Sequence, residues 1–395
     1  MEAREMRAGI YWVGAVDWDR RLFDALIPLP DGTSYNSYLI QGSEKTVLID
    51  TVDPKMQDVL TNHLNQLEIG KIDYLILNHA EQDHSGTTPR LLTEYPETKV
   101  ITNPRCKDML IDLLMIPEKK FITIEEKETL SLGNRTLEFI YTPWVHWPET
   151  MSTYLREEKI LFTCDFFGSH LATTNLFATD EWEAIQAAKR YFAEIMMPFR
   201  TSIQNNLKKL NNYAIDIIAP SHGPVYDKPE SIIKAYSSWV FDAPRNIVVL
   251  PYTSMHGSTH KMVAYLVEAL ARRGVTVKQF DLTATDSGKL AMALVDAGTV
   301  VFGTPTVLAG AHPNAVYAAF LTNALRPKLK FTSIIGSYGW GSRTVEQITA
   351  LLSSLKAEML EPVLCKGFPR ETDFQALDNL AATIADKHKE NGFTD

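Results

Sequence analysis

The chain has little of what would place it in several common protein classes. It holds only three cysteines, Cys106, Cys164 and Cys365, far apart and without a CxxC pair. That argues against a disulfide framework and against a cysteine-held zinc or iron centre. No apolar run approaches the ~20 residues of a membrane span, and the opening stretch MEAREMRAGIYWVG mixes in charges where a signal peptide has its apolar core. A cytoplasmic location without a membrane partner is the expectation. A basic excess is missing as well: the net charge is −9, whereas a nucleic-acid partner requires a concentrated basic face. The phosphate-loop pattern GxxxxGK[ST] and the dinucleotide pattern GxGxxG are both absent.

What is present suits two domains. At 395 residues, 45% hydrophobic and 22% charged, the chain can bury two cores. Residues 1–245 mix strand-like and helical segments. YNSYLIQ, KTVLIDT, DYLILNH, TKVITNP, TLEFIYTP, KILFTCD and AIDIIAPSHG read as short strands ending at polar or turn residues, and 54–68 and 181–211 as amphipathic helices. From residue 246 to 395 the pattern becomes a β–α repeat. NIVVLPY, VTVKQFDL, AGTVVFGTPT, KFTSIIGSYG and EPVLCKGF alternate with helices at 258–273, 288–296, 313–325, 343–357 and the C-terminus. Five such strands predict an α/β, doubly wound parallel sheet with ligands at the strand C-terminal ends.

The first half carries HAEQDH at residues 79–84, directly after YLIL. Candidate ligands recur just past strand ends: His79 after DYLILN, His146 after LEFIYTPWV, Asp165 after ILFTC and His222 after IIAPS. Loops leaving adjacent strands on one edge would bring them into one cavity. With Glu81, Asp83 and His84 the set is four imidazoles and three carboxylates, too many for one tetrahedral zinc and suited to two metals sharing a carboxylate. Hard oxygen donors mixed with imidazoles suit non-haem iron or manganese, and Glu81 stands where a dizinc hydrolase would carry a histidine. That hydrolase, with a passenger domain, is the alternative. A single histidine after a strand is ordinarily a satisfied polar residue, but solvated loops rarely place four ligands in six residues. Asp50 in VLIDT either hydrogen-bonds the ligand loops from behind or caps a turn. Tyr191 is either a proton donor near the metals or a core aromatic.

In the second half, NIVVLPYTSMHGSTHKM reads as strand, polar loop and helix start. Ser254, Met255, His256, Gly257, Ser258 and Thr259 offer hydroxyls, loop amides and a helix N-terminus. A hydroxyl-rich loop without lysine suits the single phosphate of a flavin mononucleotide. Two more loops at strand ends suit a flat ring: Thr304, Pro305, Thr306, Val307, Leu308, Ala309 and Gly310 in one, and Ser337, Tyr338, Gly339, Trp340 and Gly341 in the other.

In order along the chain, YWVGAVDWDRR, GTSYNSYLI, HAEQDH, HWPET, CDFFGSH, YFAEIMMPF, APSHGPV, TSMHGST and GSYGWG resemble the flavodiiron protein family (A-type flavoproteins). The resemblance covers nearly the whole chain. It implies a metallo-β-lactamase-like αββα domain over 1–245 carrying a non-haem diiron centre, then a flavodoxin-like domain over 246–395 carrying FMN. Carried over residue by residue, the iron ligands are His79, Glu81, Asp83, His84, His146, Asp165 and His222, with Asp165 bridging and His84 at a position that solvent takes in some members. Reduction of dioxygen to water or of nitric oxide to nitrous oxide is implied. So are an electron donor such as rubredoxin or a reduced deazaflavin coenzyme, and a head-to-tail homodimer or a dimer of such dimers. With no four-cysteine rubredoxin module, the chain resembles the minimal architecture. It departs from the family at His256, usually Trp, and at Glu149, usually Asp. TPTVLAGAHP lacks the usual asparagines, and GWGSR lacks the common acidic residue.

Overall fold

The computed structural model describes residues 2–394. It divides into two compact units, one formed by residues 1–192 and 199–240, the other by 193–198 and 241–395.

Period-two alternation builds the first unit as a sandwich. One sheet runs in the order Arg4–Arg7, Ile10–Trp12, Tyr38–Gln41, Thr46–Ile49, Tyr74–Ile76, Lys99–Thr102 and Phe121–Thr123. The second runs Thr129–Ser131, Thr136–Tyr141, Met151–Leu155, Ile160–Cys164 and Ile217–Pro220. Ile40, Val47, Ile49, Ile76 and Ile101 share a core with Leu137, Phe139, Leu155, Ile160, Phe162 and Ile217 between the sheets. Their neighbours Leu39, Leu48, Leu75 and Val100 point the other way, onto Leu60 and Leu64 of helix Gln57–Gln66 and Cys106 and Leu110 of helix Pro104–Leu114. Each such burial contributes about 1.5–3 kcal/mol, and a one-residue slip would turn a strand inside out.

Topology then gathers the chemistry. Met151–Leu155 lies antiparallel between Thr136–Tyr141 and Ile160–Cys164, and the latter pairs parallel with Ile217–Pro220. The loops bearing His146, Asp165 and His222 therefore leave one edge of one sheet. The expectation of adjacent strands in a single sheet needs correction for His79, which follows Tyr74–Ile76 of the other sheet. Asn78 joins the two: its carbonyl accepts from Met151 N at 2.9 Å, and its side chain from Thr153 Oγ1 at 2.8 Å.

The expected helix over 181–211 is broken. Helix Glu181–Tyr191 passes into a π-turn at Phe192–Met196 and a 3₁₀ turn at Met197–Phe199 before helix Arg200–Leu210 resumes. Pro198 forces this, since it has no N–H and its ring crowds the carbonyl four residues back.

In the second unit the strands order as Thr276–Asp281, Arg245–Tyr252, Ala297–Val307 and Phe331–Tyr338, all parallel. Phe331–Tyr338 next pairs with Glu358–Met359 and Val363–Lys366. The fifth predicted strand, EPVLCKGF, forms at Val363–Lys366 behind a separate two-residue strand at Glu358–Met359, and the helix expected over 343–357 stops at Leu351. Helices Ser258–Ala271 and Glu371–Glu390 pack through Met262, Leu266, Leu377 and Ala381 on one face of this sheet. The chain reverses its direction of winding between Arg245–Tyr252 and Ala297–Val307, the crevice where doubly wound sheets take their ligands.

Candidate active site

Asp165 sits at the centre of the first unit's ligand set. Its Oδ2 stands 3.4 Å from His79 Nε2 and 3.4 Å from His146 Nε2, while Oδ1 stands 2.9 Å from His84 Nε2 and 3.4 Å from His222 Nε2. Glu81 Oε2 joins the first group, 2.9 Å from His146 and 3.2 Å from His79. Asp83 Oδ2 joins the second, 3.1 Å from His222 and 3.3 Å from His84. All seven predicted ligands thus converge: His79, Glu81, His146 and Asp165 form one set of the kind that holds a metal and Asp83, His84 and His222 another, whose imidazoles face the second oxygen of Asp165.

Partners behind the imidazoles fix their aim. His79 Nδ1 donates to Glu149 Oε1 at 2.6 Å, and His222 Nδ1 to the Ser34 carbonyl at 2.6 Å, leaving each Nε2 lone pair turned inward. His84 Nδ1 has no hydrogen-bond partner, so this ring is the least anchored of the three. Asp50 takes the role behind the ligand loop: it accepts from Asn78 N at 2.8 Å and Asn78 Nδ2 at 3.0 Å, next to His79. Tyr191 is buried, with its hydroxyl facing Asp165, and burial and that carboxylate hold its phenol well above the usual range. Glu149→Gln removes the charge behind His79 while keeping its shape. We expect metal affinity to fall about 10–100-fold with the fold retained, as titration against a competing chelator and circular dichroism would show.

The donor set fits metal ions. Both oxygens of Asp83 and Oδ2 of Asp165 are buried without a hydrogen-bond donor. A buried carboxylate facing imidazole nitrogens without accepting from them is costly unless a cation lies between. Without a metal the imidazoles take protons instead. Burial opposes this, but hydrogen bonds to Glu149 and Glu81 raise His79 to about 10. Burial is outweighed likewise at His146, by Asp165 and Glu81, to about 10, and at His84, by Asp83 and Asp165, to about 9. Imidazoles raised in the folded state stabilise it fully below their unfolded value near 6.5, and that stabilisation is lost as pH rises toward 9–10. Each extra proton held costs about 1.4 kcal/mol per pH unit, about 3–6 °C for a unit of this size. Chelated protein should therefore melt several degrees lower at about pH 9 than at about pH 7. Metal-loaded protein, with neutral imidazoles, should shift far less. Equal slopes in calorimetry would refute the assignment.

In the second unit, Ser254, Met255, His256, Ser258, Thr259, Pro305, Thr306, Ser337, Tyr338 and Gly339 line one cavity of about 190 Å³. Gly257, at φ 87°, caps helix Ser258–Ala271 and turns its first amides toward that space. Thr304 is fully buried, and its hydroxyl accepts from His312 N at 3.0 Å instead. Val307, Leu308, Ala309 and Gly310 form the tip of a hairpin over a separate cleft with Arg343 and Gln347. Trp340 is 81% exposed and lines neither cavity, and Gly341 lies beyond both.

Comparison with known proteins agrees with this geometry. Residues 33–223 match the family described as ODP family beta lactamase. A nitric oxide reductase of Moorella thermoacetica is 36% identical over 95% of this chain and 96% of its own. The rubredoxin oxygen:oxidoreductase of Desulfovibrio gigas superposes with a TM-score of 0.94 at 30% identity, over 98% of this chain and 99% of its own. The flavodiiron protein of Giardia intestinalis does so at 0.92 and 28%, over 98% and 96%. The chain belongs to the flavodiiron protein family.

This flavodiiron chain also uses residues that sequence reasoning passed over. His170 is buried, with Nδ1 2.9 Å from Thr33 Oγ1 and its ring 4.9 Å from both His222 and Tyr191. Phe23 packs 5.1 Å from His170 and 6.3 Å from His222. Ser34 and His170 lay inside the quoted motifs GTSYNSYLI and CDFFGSH, which was the available signal. Gly367, just past Val363–Lys366, completes the second unit's cavity. Cys164 comes within ligand distance of His84 and Asp165, but burial and the Asp50 and Asp165 carboxylates push its thiol up, disfavouring the thiolate that binds metal.

Proposed function

We propose that this chain is a flavodiiron oxidoreductase that reduces dioxygen to water, nitric oxide to nitrous oxide, or both, with FMN and two non-haem irons as cofactors. The observation that carries the reading is Asp165, each of whose oxygens faces its own imidazole pair. His79, Glu81 and His146 would hold one iron, and Asp83, His84 and His222 the other, with Asp165 shared. Bound there, the irons would supply electrons in pairs to the gas, with FMN as their source. The chain's own residues do the rest. Glu149 and the Ser34 carbonyl orient the imidazoles. Tyr191 holds a proton beside Asp165, since burial and that carboxylate keep its phenol well above the usual range. Phe23 and Trp147, the latter edge-on to His79 at 4.9 Å, keep bulk water from the cluster.

Ser254, Ser258 and Thr259 would receive the FMN phosphate at the helix N-terminus, with Tyr338 beside the ring. The Moorella relative is named for nitric oxide reduction and the Desulfovibrio protein for passing rubredoxin electrons to oxygen, which supports both substrates. A rubredoxin or a reduced deazaflavin as donor, a head-to-tail homodimer or dimer of dimers, and a cytoplasmic location complete the proposal. The test is to reduce the purified protein anaerobically and measure metals, flavin and the uptake of both gases in parallel. Two irons and one FMN per chain with rapid uptake is the expected result, and the ratio of rates sets the substrate. Two zincs without uptake would overturn it in favour of a hydrolase.

A further inference from the structure

Behind the metal cluster, the first unit buries several polar atoms without a hydrogen-bond partner. A cavity of about 70 Å³ opens beside the start of helix Glu181–Tyr191, with Glu181, Asp227 and Lys228 in its lining. Tyr226 also lines it, and this residue is 2% exposed with an unpartnered hydroxyl. Further in, that hydroxyl faces Ser169, whose Oγ is likewise buried without a hydrogen-bond partner. Ser169 belongs to the backbone of the centre. Its N–H donates to the His222 carbonyl at 3.2 Å, and its hydroxyl packs so close to Gly223 that a β-carbon there would overlap it. Two further orphans lie nearby. The Tyr236 hydroxyl is one, its ring packed 5.4 Å from Phe166 and 4.9 Å from Phe167, which directly follow Asp165, and His170 Nε2 is the other, on the ring that touches His222 and Tyr191.

An unpartnered buried donor or acceptor costs about 1–3 kcal/mol. Native proteins satisfy such atoms, by internal water where the protein itself does not. Several of them leading from a charged cavity to a buried cluster mark a route. We propose that Tyr226, Ser169 and Tyr236 hold a file of internal waters that carries protons from the Glu181–Asp227–Lys228 cavity to the metal centre, ending beside His170 and Tyr191.

The proposal rests on the reading of the centre as a gas reductase. One dioxygen takes up four electrons and four protons to give two waters; two nitric oxide molecules take up two of each to give nitrous oxide and one water. The electrons come through the flavin, and the protons must cross the protein. Along the file each hydroxyl gives its proton inward as it accepts another from behind. Every group so ends a transfer in the form in which it began, and solvent at the cavity supplies the proton consumed.

Two measurements test this. The first is a high-resolution crystal structure of the purified protein. Ordered waters within hydrogen-bond distance of Tyr226 Oη and Ser169 Oγ are expected; a dry interior there overturns the proposal, whether or not the protein consumes gas. The second compares wild type with Tyr226→Phe and Ser169→Ala in the loaded enzyme. Gas uptake should fall by roughly an order of magnitude, less than the ~100-fold cost of losing a catalytic acid, and the solvent deuterium isotope effect should rise. Iron and flavin content and the anaerobic reduction of both should stay at wild-type values. Waters in place with uptake and isotope effect unchanged in both variants would refute the conduction of protons. A wild type that takes up neither gas would instead refute the function, leaving the waters to decide the file.

Discussion

Asp165→Ala should leave a folded protein with well under two irons per chain and gas uptake reduced at least roughly a thousandfold. The magnitude follows from position. Losing a partner one step behind a ligand costs about 10–100-fold in metal affinity or activity, and Asp165 is the one carboxylate whose oxygens face both imidazole pairs. Its removal leaves His79, His146, His84 and His222 without the carboxylate they all face. The fold should survive, because the sheets on either side pack through apolar residues away from the loop. Metal analysis and gas electrodes on the same sample check the result. Two irons and near-normal uptake in this variant would show that the shared carboxylate is not the organising ligand.

Ser258→Asp should abolish tight FMN binding without destabilising the protein. Ser258 is the first residue of helix Ser258–Ala271 and lines the cavity of the second unit. A carboxylate there suits the helix, whose N-terminus favours negative charge by about 0.3–1 kcal/mol. It opposes a phosphate in the same place. Two unit charges about 4 Å apart repel by ~4 kcal/mol at the effective dielectric of a protein surface, and even a third of that is tenfold in affinity. Flavin titration should show at least a tenfold weaker complex, and thermal melting of the flavin-free protein should show no loss. Unchanged flavin affinity would place the phosphate elsewhere.

The sequence made the candidate ligand cluster legible for a physical reason. Imidazoles and carboxylates are rarely crowded into six residues, and Glu81, Asp83 and His84 needed only the short helix Gln82–Ser85 to turn toward one point. Which sheet supplied His79 was not legible. That depends on Asn78 bridging to Met151 and Thr153, and MSTYL carries no alternating pattern because Met151–Leu155 is buried on both faces. Of the second expected flavin loop, Pro305 and Thr306 line the cavity. Beyond them, Leu308 and Ala309 adopt positive φ of 49° and 65° at a hairpin tip, a conformation their side chains do not announce. His170 was hidden for the opposite reason: read alone, a lone buried histidine looks like any satisfied core residue.

The centre has one consequence outside catalysis. Its ligands come from loops of two sheets and span the chain from His79 to His222. Filling it cross-links distant points of a chain whose three cysteines are all free. Closing a loop of about a hundred residues removes on the order of 4–5 kcal/mol of disorder from the unfolded chain. A disulfide would do the same but would yield to thiol reductants, whereas this clasp yields to iron scarcity. The lifetime of the protein against proteases is thereby tied to the same metal supply that sets its activity.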